Sequence, residues 1–380
     1  MRIFALLILT ALSSLASEQL DIRRDGTGWL VTVTGSLPPQ ALTRIAVVGD
    51  VTVRGKRGNG IRYTITQKVI APDEESVRSA AQFYRARAGN GILAFYQSGA
   101  VQVEVPRATR SLTVSSVGGT IDAADLDGAL RADAAAGRIV LDRIAGDVEI
   151  HSNGGAASLG SIGGVVRCFS GGGSIRAIRI SGPAYFETNG GDIRLGEVGG
   201  AVTALTAAGG IQIDQAGAKV FADTLGGPIS ILRALGMVVA SSSGGPIEIG
   251  DAKSVQCRSA SGMIRLNNVS GRLRAATERG SIVAEILAGR SLEDSVLSTG
   301  WGDITVWIPS DMGVTIEAET SGSPSRRPIV SDFSGLRIRN QRTSFGPREA
   351  RRVVALEEIN GGGPRLRLTG SGGRIEIKRK

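Results

Sequence analysis

From residue 119 onward, apolar and polar positions recur with a period of 18, and glycine marks the frame. Gly119, Gly137, Gly155, Gly173, Gly191, Gly209, Gly227 and Gly245 keep it without a slip, and it resumes one residue early at Gly262 and Gly280. Two residues after each glycine stand Ile121, Ile139, Ala157, Ile175, Ile193, Ile211, Ile229, Ile247, Ile264 and Ile282. Two further on come Ala123, Leu141, Leu159, Ala177, Leu195, Ile213, Ile231, Ile249, Leu266 and Ala284. This alternation predicts a strand of about five residues with one buried face. A second strand in each unit turns Val148, Val166, Val202, Val220, Val238 and Leu273 inward. Their mostly small partners two residues on (Ala132, Cys168, Ala204, Ala222, Ala240 and Ala275) imply a narrow cross-section.

A unit this short cannot bury its own apolar face, so the units must stack. The expected fold is all-β: a single-stranded β-helix, or β-solenoid, with 18-residue rungs, right-handed by the general chirality of parallel crossovers. A hexapeptide helix would space its aliphatics by six, and a calcium-binding nonapeptide roll would need an Asp in every half-turn, which is absent. Gly128, Gly146, Gly164, Gly182, Gly200, Gly236, Gly271 and Gly289 form a turn column, read here as positions that need positive φ. Ser152, Ser170, Thr188, Thr206, Thr224, Ser242, Ser259, Thr277 and Ser295 form a hydroxyl column. Local bonding to the turn backbone is the favoured reading of that column, ahead of an ice- or glycan-facing ladder.

Before the repeats, residues 17–105 read as a strand-rich cap with one helix, from Asp73 to about Ala88, stopped by Gly89. Its stripe would be Val77, Ala81, Tyr84 and Ala88. Residues 1–16, with Arg2, an apolar run from Ile3 to Leu12 and small residues at Ser14 and Ala16, read as a secretory signal peptide. No cysteine follows as a lipid attachment point, and no later segment is apolar for long enough to span a bilayer. The expected divisions are thus 1–16, 17–105, 106–322 for the repeats, and 323–380 for a basic insertion with closing strands.

The repeats are bracketed by Val103-Glu104-Val105-Pro106 and Val306-Trp307-Ile308-Pro309, strands whose prolines place them at an edge or a corner. With these brackets, the repeated GG-x-I-x-I units and the close at Gly361-Gly362-Gly363-Pro364 and Gly373-Arg374-Ile375-Glu376-Ile377, the chain resembles the bacterial putative-adhesin domain family of unknown function. The resemblance covers roughly residues 101–380. It implies a right-handed β-helix placed at the surface or in the envelope, and it carries no catalytic residues to transfer.

Charge is concentrated at one end. Between Arg326 and Lys380 fourteen Arg and Lys stand against five Asp and Glu, a local +9 that equals the net charge of all 380 residues. Arg326, Arg327, Arg337, Arg339, Arg342, Arg348, Arg351 and Arg352 are therefore candidates for binding an anionic ligand, with Arg176 and Arg194, which share an outward column. The partners expected are an anionic glycan, a lipid headgroup or an envelope protein. Nucleic acid is not expected, because aromatics for base stacking are few. Cys168 and Cys257 fall five rungs apart, roughly 24 Å at the strand spacing, and so should be free buried thiols.

No cofactor or metal site follows from the sequence, and His151 is its only histidine, expected at the surface. The best carboxylate pair is Asp122 with Asp142, roughly 8 Å apart on consecutive rungs. Without aromatic platforms or a third acid beside them, catalysis is not expected. An apolar outward set, Ile178, Leu205, Phe221, Leu225, Leu232, Met237 and Val239, is expected to lie under the 323–358 insertion. The reading that leads is a non-catalytic exported adhesin-like scaffold. A self-assembling envelope module and a carbohydrate-active β-helix enzyme are its alternatives.

Overall fold

The computed structural model describes residues 18–37, 42–84, 86–95, 99–289, 291–322, 328–343 and 350–380, with only the backbone described at 340–343, 350 and 351. The expected signal peptide, residues 1–16, lies outside them. The regular structure of the described chain is strand except for one α-helix, Glu74–Ala81, and one 3-10 turn, Gln82–Tyr84. It divides into two compact units, residues 1–149 and 150–380.

In the second unit the strands stack as two parallel ladders, and the isoleucine column stands as one line. Ile175 faces Ile193, then Ile211, Ile229, Ile247, Ile264 and Ile282, each opposite the next. All seven are at most 2% exposed. The second ladder lines up Cys168, Phe186, Ala204, Ala222, Ala240 and Cys257. Phe186 is wholly buried there because its neighbours, Cys168 and Ala204, leave room for the ring. Both cysteines are free and buried, and burial pushes each thiol up to about 12.

The hydroxyl column is structural. Thr188, Thr206, Thr224, Ser242, Ser259, Thr277 and Thr299 each donate to the carbonyl of the frame glycine one rung back, at 2.7–3.2 Å. Each also accepts from the N–H of the frame glycine three residues on, at 2.9–3.3 Å. Thr299 takes the place expected of Ser295, whose hydroxyl instead bonds the Leu273 N–H and the Glu293 carbonyl. The spacing from Gly280 to Gly302 is 22 residues, which moves the frame past Ser295.

The expectation of positive φ along the turn column is corrected. Gly271 and Gly289 have it, but Gly128, Gly146, Gly182, Gly200 and Gly236 do not. At those five a Cβ would lie under 3.0 Å from backbone of the preceding rung. Glycine is required there by close approach rather than by handedness of the turn.

Both units end in rungs taken out of chain order. In the first, strands Arg44–Val47 and Asp50–Lys56 lie between Ile92–Phe95 and Ala100–Pro106 on one side and Ser111–Ser116 and Ile121–Leu126 on the other. An antiparallel sheet of Gln19–Asp25, Gly28–Leu37 and Ile61–Val69 then joins Ala100–Pro106. In the second, Arg365–Gly370 and Ile375–Arg379 pair with Ser295–Thr299 and Ile304–Ile308, and on their far side with Val314–Ser321 and Ile329–Ser331. The strands ending in Pro106 and Pro309 are thus paired on both sides, not at edges. Each proline instead opens a corner, accepting from the N–H of Thr109 and of Met312.

The helix stops earlier than its stripe predicts. Asp73 caps it, its side chain accepting from the Ser76 N–H, but Arg87–Gly89 forms a hairpin with Ile92–Phe95 across Asn90-Gly91, both at positive φ. Asn-Gly is a strong two-residue hairpin signal, and it overrides the helical periodicity.

Two outcomes follow. Thr224→Val keeps the shape but strands the Gly227 N–H and the Gly209 carbonyl, so thermal or denaturant unfolding should show a loss of about 1–3 kcal/mol; unchanged stability would refute the ladder. Both thiols should resist a thiol reagent at pH 8.5, where an exposed cysteine is about half ionised, until denaturant opens the rungs. Rapid labelling of the folded protein, or a disulfide in non-reducing peptide maps, would contradict this.

Candidate functional site

The basic C-terminal residues come together on one sheet. Arg337–Thr343 runs antiparallel to Ala350–Ile359, which runs antiparallel to Val314–Ser321, which lies parallel to Arg365–Gly370. Strand alternation puts one row across the outward face as Arg337, Leu356, Glu317 and Arg367, and the next as Arg339, Val354, Glu319 and Thr369. With Arg352 these residues line a groove holding four arginines and two glutamates.

The two glutamates are already engaged. Arg352 Nη2 donates to Glu319 at 2.7 Å, and Glu317 receives both Arg365 and Arg367 at 3.1 Å. Glu319 raises the Arg352 pKa by this bond, so Arg352 is a partner within the closing strands and not a free cation. Arg337 and Arg339 are exposed, and neither has an ion-pair partner among the described residues. Glu358 faces the same side but pairs with neither. Arg342 and Arg351 lie in the same two strands, with their side chains outside the described set. Arg326, Arg327 and Arg348 fall outside the described residues.

Arg176 and Arg194 do lie opposite each other on neighbouring rungs. Arg194 is held by Asp192 at 2.7 Å, while Glu187 is taken by the Tyr185 hydroxyl at 2.6 Å, which pushes the phenol up to about 12. Arg176 is exposed and has no ion-pair partner among the described residues.

The carboxylate pair dissolves into ion pairs. Arg54 grips Asp122 with both terminal nitrogens at 2.8 and 3.0 Å, and Asp142 is bonded by Arg143, which also binds Asp125 at 2.7 Å. Those bonds hold the Asp125 carboxyl below its usual range.

His151 is half-buried rather than at the surface. Its ring stacks on Phe169, with centroids 5.2 Å apart and planes at 14°, and Phe169 in turn meets Tyr185 at 5.4 Å. Because His151 and Phe169 sit one repeat apart, the column alignment already contained this pair, which sequence reasoning passed over; Tyr185 lies two residues out of that column. His151 and Phe169 thus cover one face of each other, while Tyr185 meets Phe169 at a tilt of 42°.

The described part of the insertion does not cover the apolar outward set. Ile178, Leu225 and Leu232 remain more than 60% exposed. The described part of the insertion pairs instead with residues 314–321 and 375–379, where it completes the last rungs.

One buried acid was missed. Glu357 is 1% exposed, inward-facing opposite Ile316; its Oε2 accepts from Ser331 Oγ at 2.7 Å, and Oε1 has no partner. Burial pushes its carboxyl up, against the pull of the Ser331 hydroxyl and the Gly335 backbone. An alternation of Val353, Ala355, Glu357 and Ile359 was the available signal: a charge in an inward column.

Parallel rungs on an 18-residue frame, closed by antiparallel strands in each unit, define a β-solenoid. The chain belongs to the Toastrack DUF4097 family, a domain of unknown function, whose model matches residues 76–327. The resemblance read from the VEVP and WIP brackets is thereby borne out. Comparison with curated proteins finds no match. Among solved structures the chain is similar to one titled a putative cell adhesion protein from Clostridium sporogenes ATCC 15579. That match has 11% identity, covers 92% of this chain and 99% of the other, and has a TM-score of 0.15, too slight to carry an argument about function.

Glu357 gives a test by pH. Its pKa is raised in the folded state, so folding favours the protonated form, and stability falls as pH rises from the ordinary glutamate range through the raised value. Glu357→Gln should therefore melt higher than the parent at neutral pH, with the difference vanishing in acid. A difference that is flat with pH would show that Glu357 imposes no ionisation cost.

Proposed function

We propose that this protein is a non-catalytic, exported scaffold that binds an anionic partner through its C-terminal basic sheet. The observation that carries the proposal is the gathering of Arg337, Arg339, Arg352, Arg365 and Arg367 on one face, where Glu317, Glu319 and Glu358 offset only part of the charge. Export is supported by the Arg2 and Ile3–Leu12 pattern at the start of the chain. No described helix is long and apolar enough to cross a membrane. Against catalysis stand the ion-paired state of Asp122 and Asp142 and the packing of His151 into a ring ladder. An adhesin-like role in the envelope is the form this binding takes.

Electrostatic attraction of this kind is screened over about 8 Å at physiological salt. Binding to anionic vesicles or to an acidic polysaccharide should thus fall steeply as salt rises above that strength. The variant Arg337→Gln/Arg339→Gln/Arg365→Gln/Arg367→Gln should bind neither, while the single change Arg352→Gln should mainly lower the melting temperature. A quadruple variant that folds and binds as before would remove the main support for the proposal.

A further inference from the structure

Arg337–Thr343 is the last strand of its sheet: among the described residues it pairs with Ala350–Ile359 and with no strand on its other side. An open edge presents a row of unpaired N–H and C=O groups, which is a template for one more strand. Its sequence, RIRNQRT, carries three arginines and no carboxylate. Such charge blunts self-association, since a second copy of the same edge would set arginine against arginine. It also makes the edge selective. Arg337 and Arg339 are alternate residues on one face, about 7 Å apart along the strand; of the carboxylates on that face Glu317 and Glu319 are bound by Arg352, Arg365 and Arg367, and Glu358 on the neighbouring strand pairs with neither arginine. Between them Ile338, on the opposite face, is 49% exposed.

We infer that this edge is a docking site for an extended acidic segment of a partner protein, which adds as a further strand beside Arg337–Thr343. The inference rests on the reading of the basic sheet as the binding face and names the partner class. In an added strand, residues i and i+2 fall on one face, opposite Arg337 and Arg339, where Asp or Glu forms charge-assisted bonds. Residue i+1 falls on the other face, where an apolar side chain covers Ile338. The recognised pattern is therefore acidic-apolar-acidic, read by backbone pairing together with alternate side chains. A glycan or a lipid headgroup meets the charges but has no alternating N–H and C=O row to satisfy the edge.

The test uses the full chain and a fluorescein-labelled peptide with Glu at alternate positions separated by Val and Thr, followed by anisotropy. Two control peptides have the same composition and charge: one with its glutamates in a block, the other N-methylated along one backbone edge. The alternating peptide should bind at least about tenfold more tightly than either control, because only it can both pair and align its charges. Its binding should slow amide exchange across residues 337–343, and Arg337→Ala/Arg339→Ala should weaken it by at least about tenfold with an unchanged melting curve. Equal binding of all three peptides, or no slowing of exchange, overturns strand addition and leaves charge attraction standing. Binding of anionic vesicles or acidic polysaccharide without the alternating peptide also overturns it and leaves the basic-face proposal intact. If no anionic probe binds, both readings fall.

Discussion

The contact on which the rest of this structure depends is the close stacking of one turn on the next at the frame glycine. From Gly173 to Gly280 each frame glycine offers its carbonyl to a buried hydroxyl on the following rung and its N–H to a buried hydroxyl on its own. The backbones lie so close that a Cβ at Gly209, Gly227, Gly245 or Gly262 would fall under 3.0 Å from the rung behind it. Two residue types at two positions therefore set the corner, and the aliphatic columns inherit their register from it. A methyl group added at the glycine pushes adjacent rungs apart, and a hydroxyl lost leaves two buried backbone groups without partners.

This corner also explains how far the solenoid runs. Gly302 stacks on Gly280, and Gly373 stacks on Gly302 although 71 residues separate them in the chain. In the first unit Gly119 stacks in the same way on Gly49. The chain thus inserts a distant segment as a rung before closing each unit with antiparallel strands. An antiparallel strand offers the parallel stack a pairing partner while breaking the pattern that would admit another rung.

Legibility in the sequence followed the repeat. Wherever neighbours in space were whole repeats apart, as in the isoleucine column or the thiols, column and burial could be read directly. Gly49 and Gly373 were hidden because their partners in the stack, Gly119 and Gly302, lie several repeat lengths away in the chain, outside any fixed period. The turn glycines were found, but only Gly271 and Gly289 have the expected positive φ; at five others the cause is close approach, which leaves the same residue in the sequence. For the candidate site, Arg176 and Arg194 were visible as a column, and the basic run was visible as composition. That Arg352 would be tied to Glu319 while Arg337 and Arg339 would not depends on an antiparallel register no period encodes.

The same distinction bears on what the surface can do. A regular stack repeats its outward side chains at one strand spacing, so opposite charges on neighbouring rungs neutralise one another locally, as Arg179 with Glu197 and Arg233 with Asp251 do. On the rungs this leaves Asp122 and Asp142 held by Arg54 and Arg143. Where the repeat breaks, at the C-terminal sheet, antiparallel strands bring residues 317, 339 and 352 into one groove, with 367 on the strand parallel to Val314–Ser321. There too, among the described residues, Arg337–Thr343 pairs on one side alone. On the rungs several outward charges meet an opposite charge, though Arg176 does not, whereas on the closing strands Arg337 and Arg339 are both left without an ion-pair partner among the described residues.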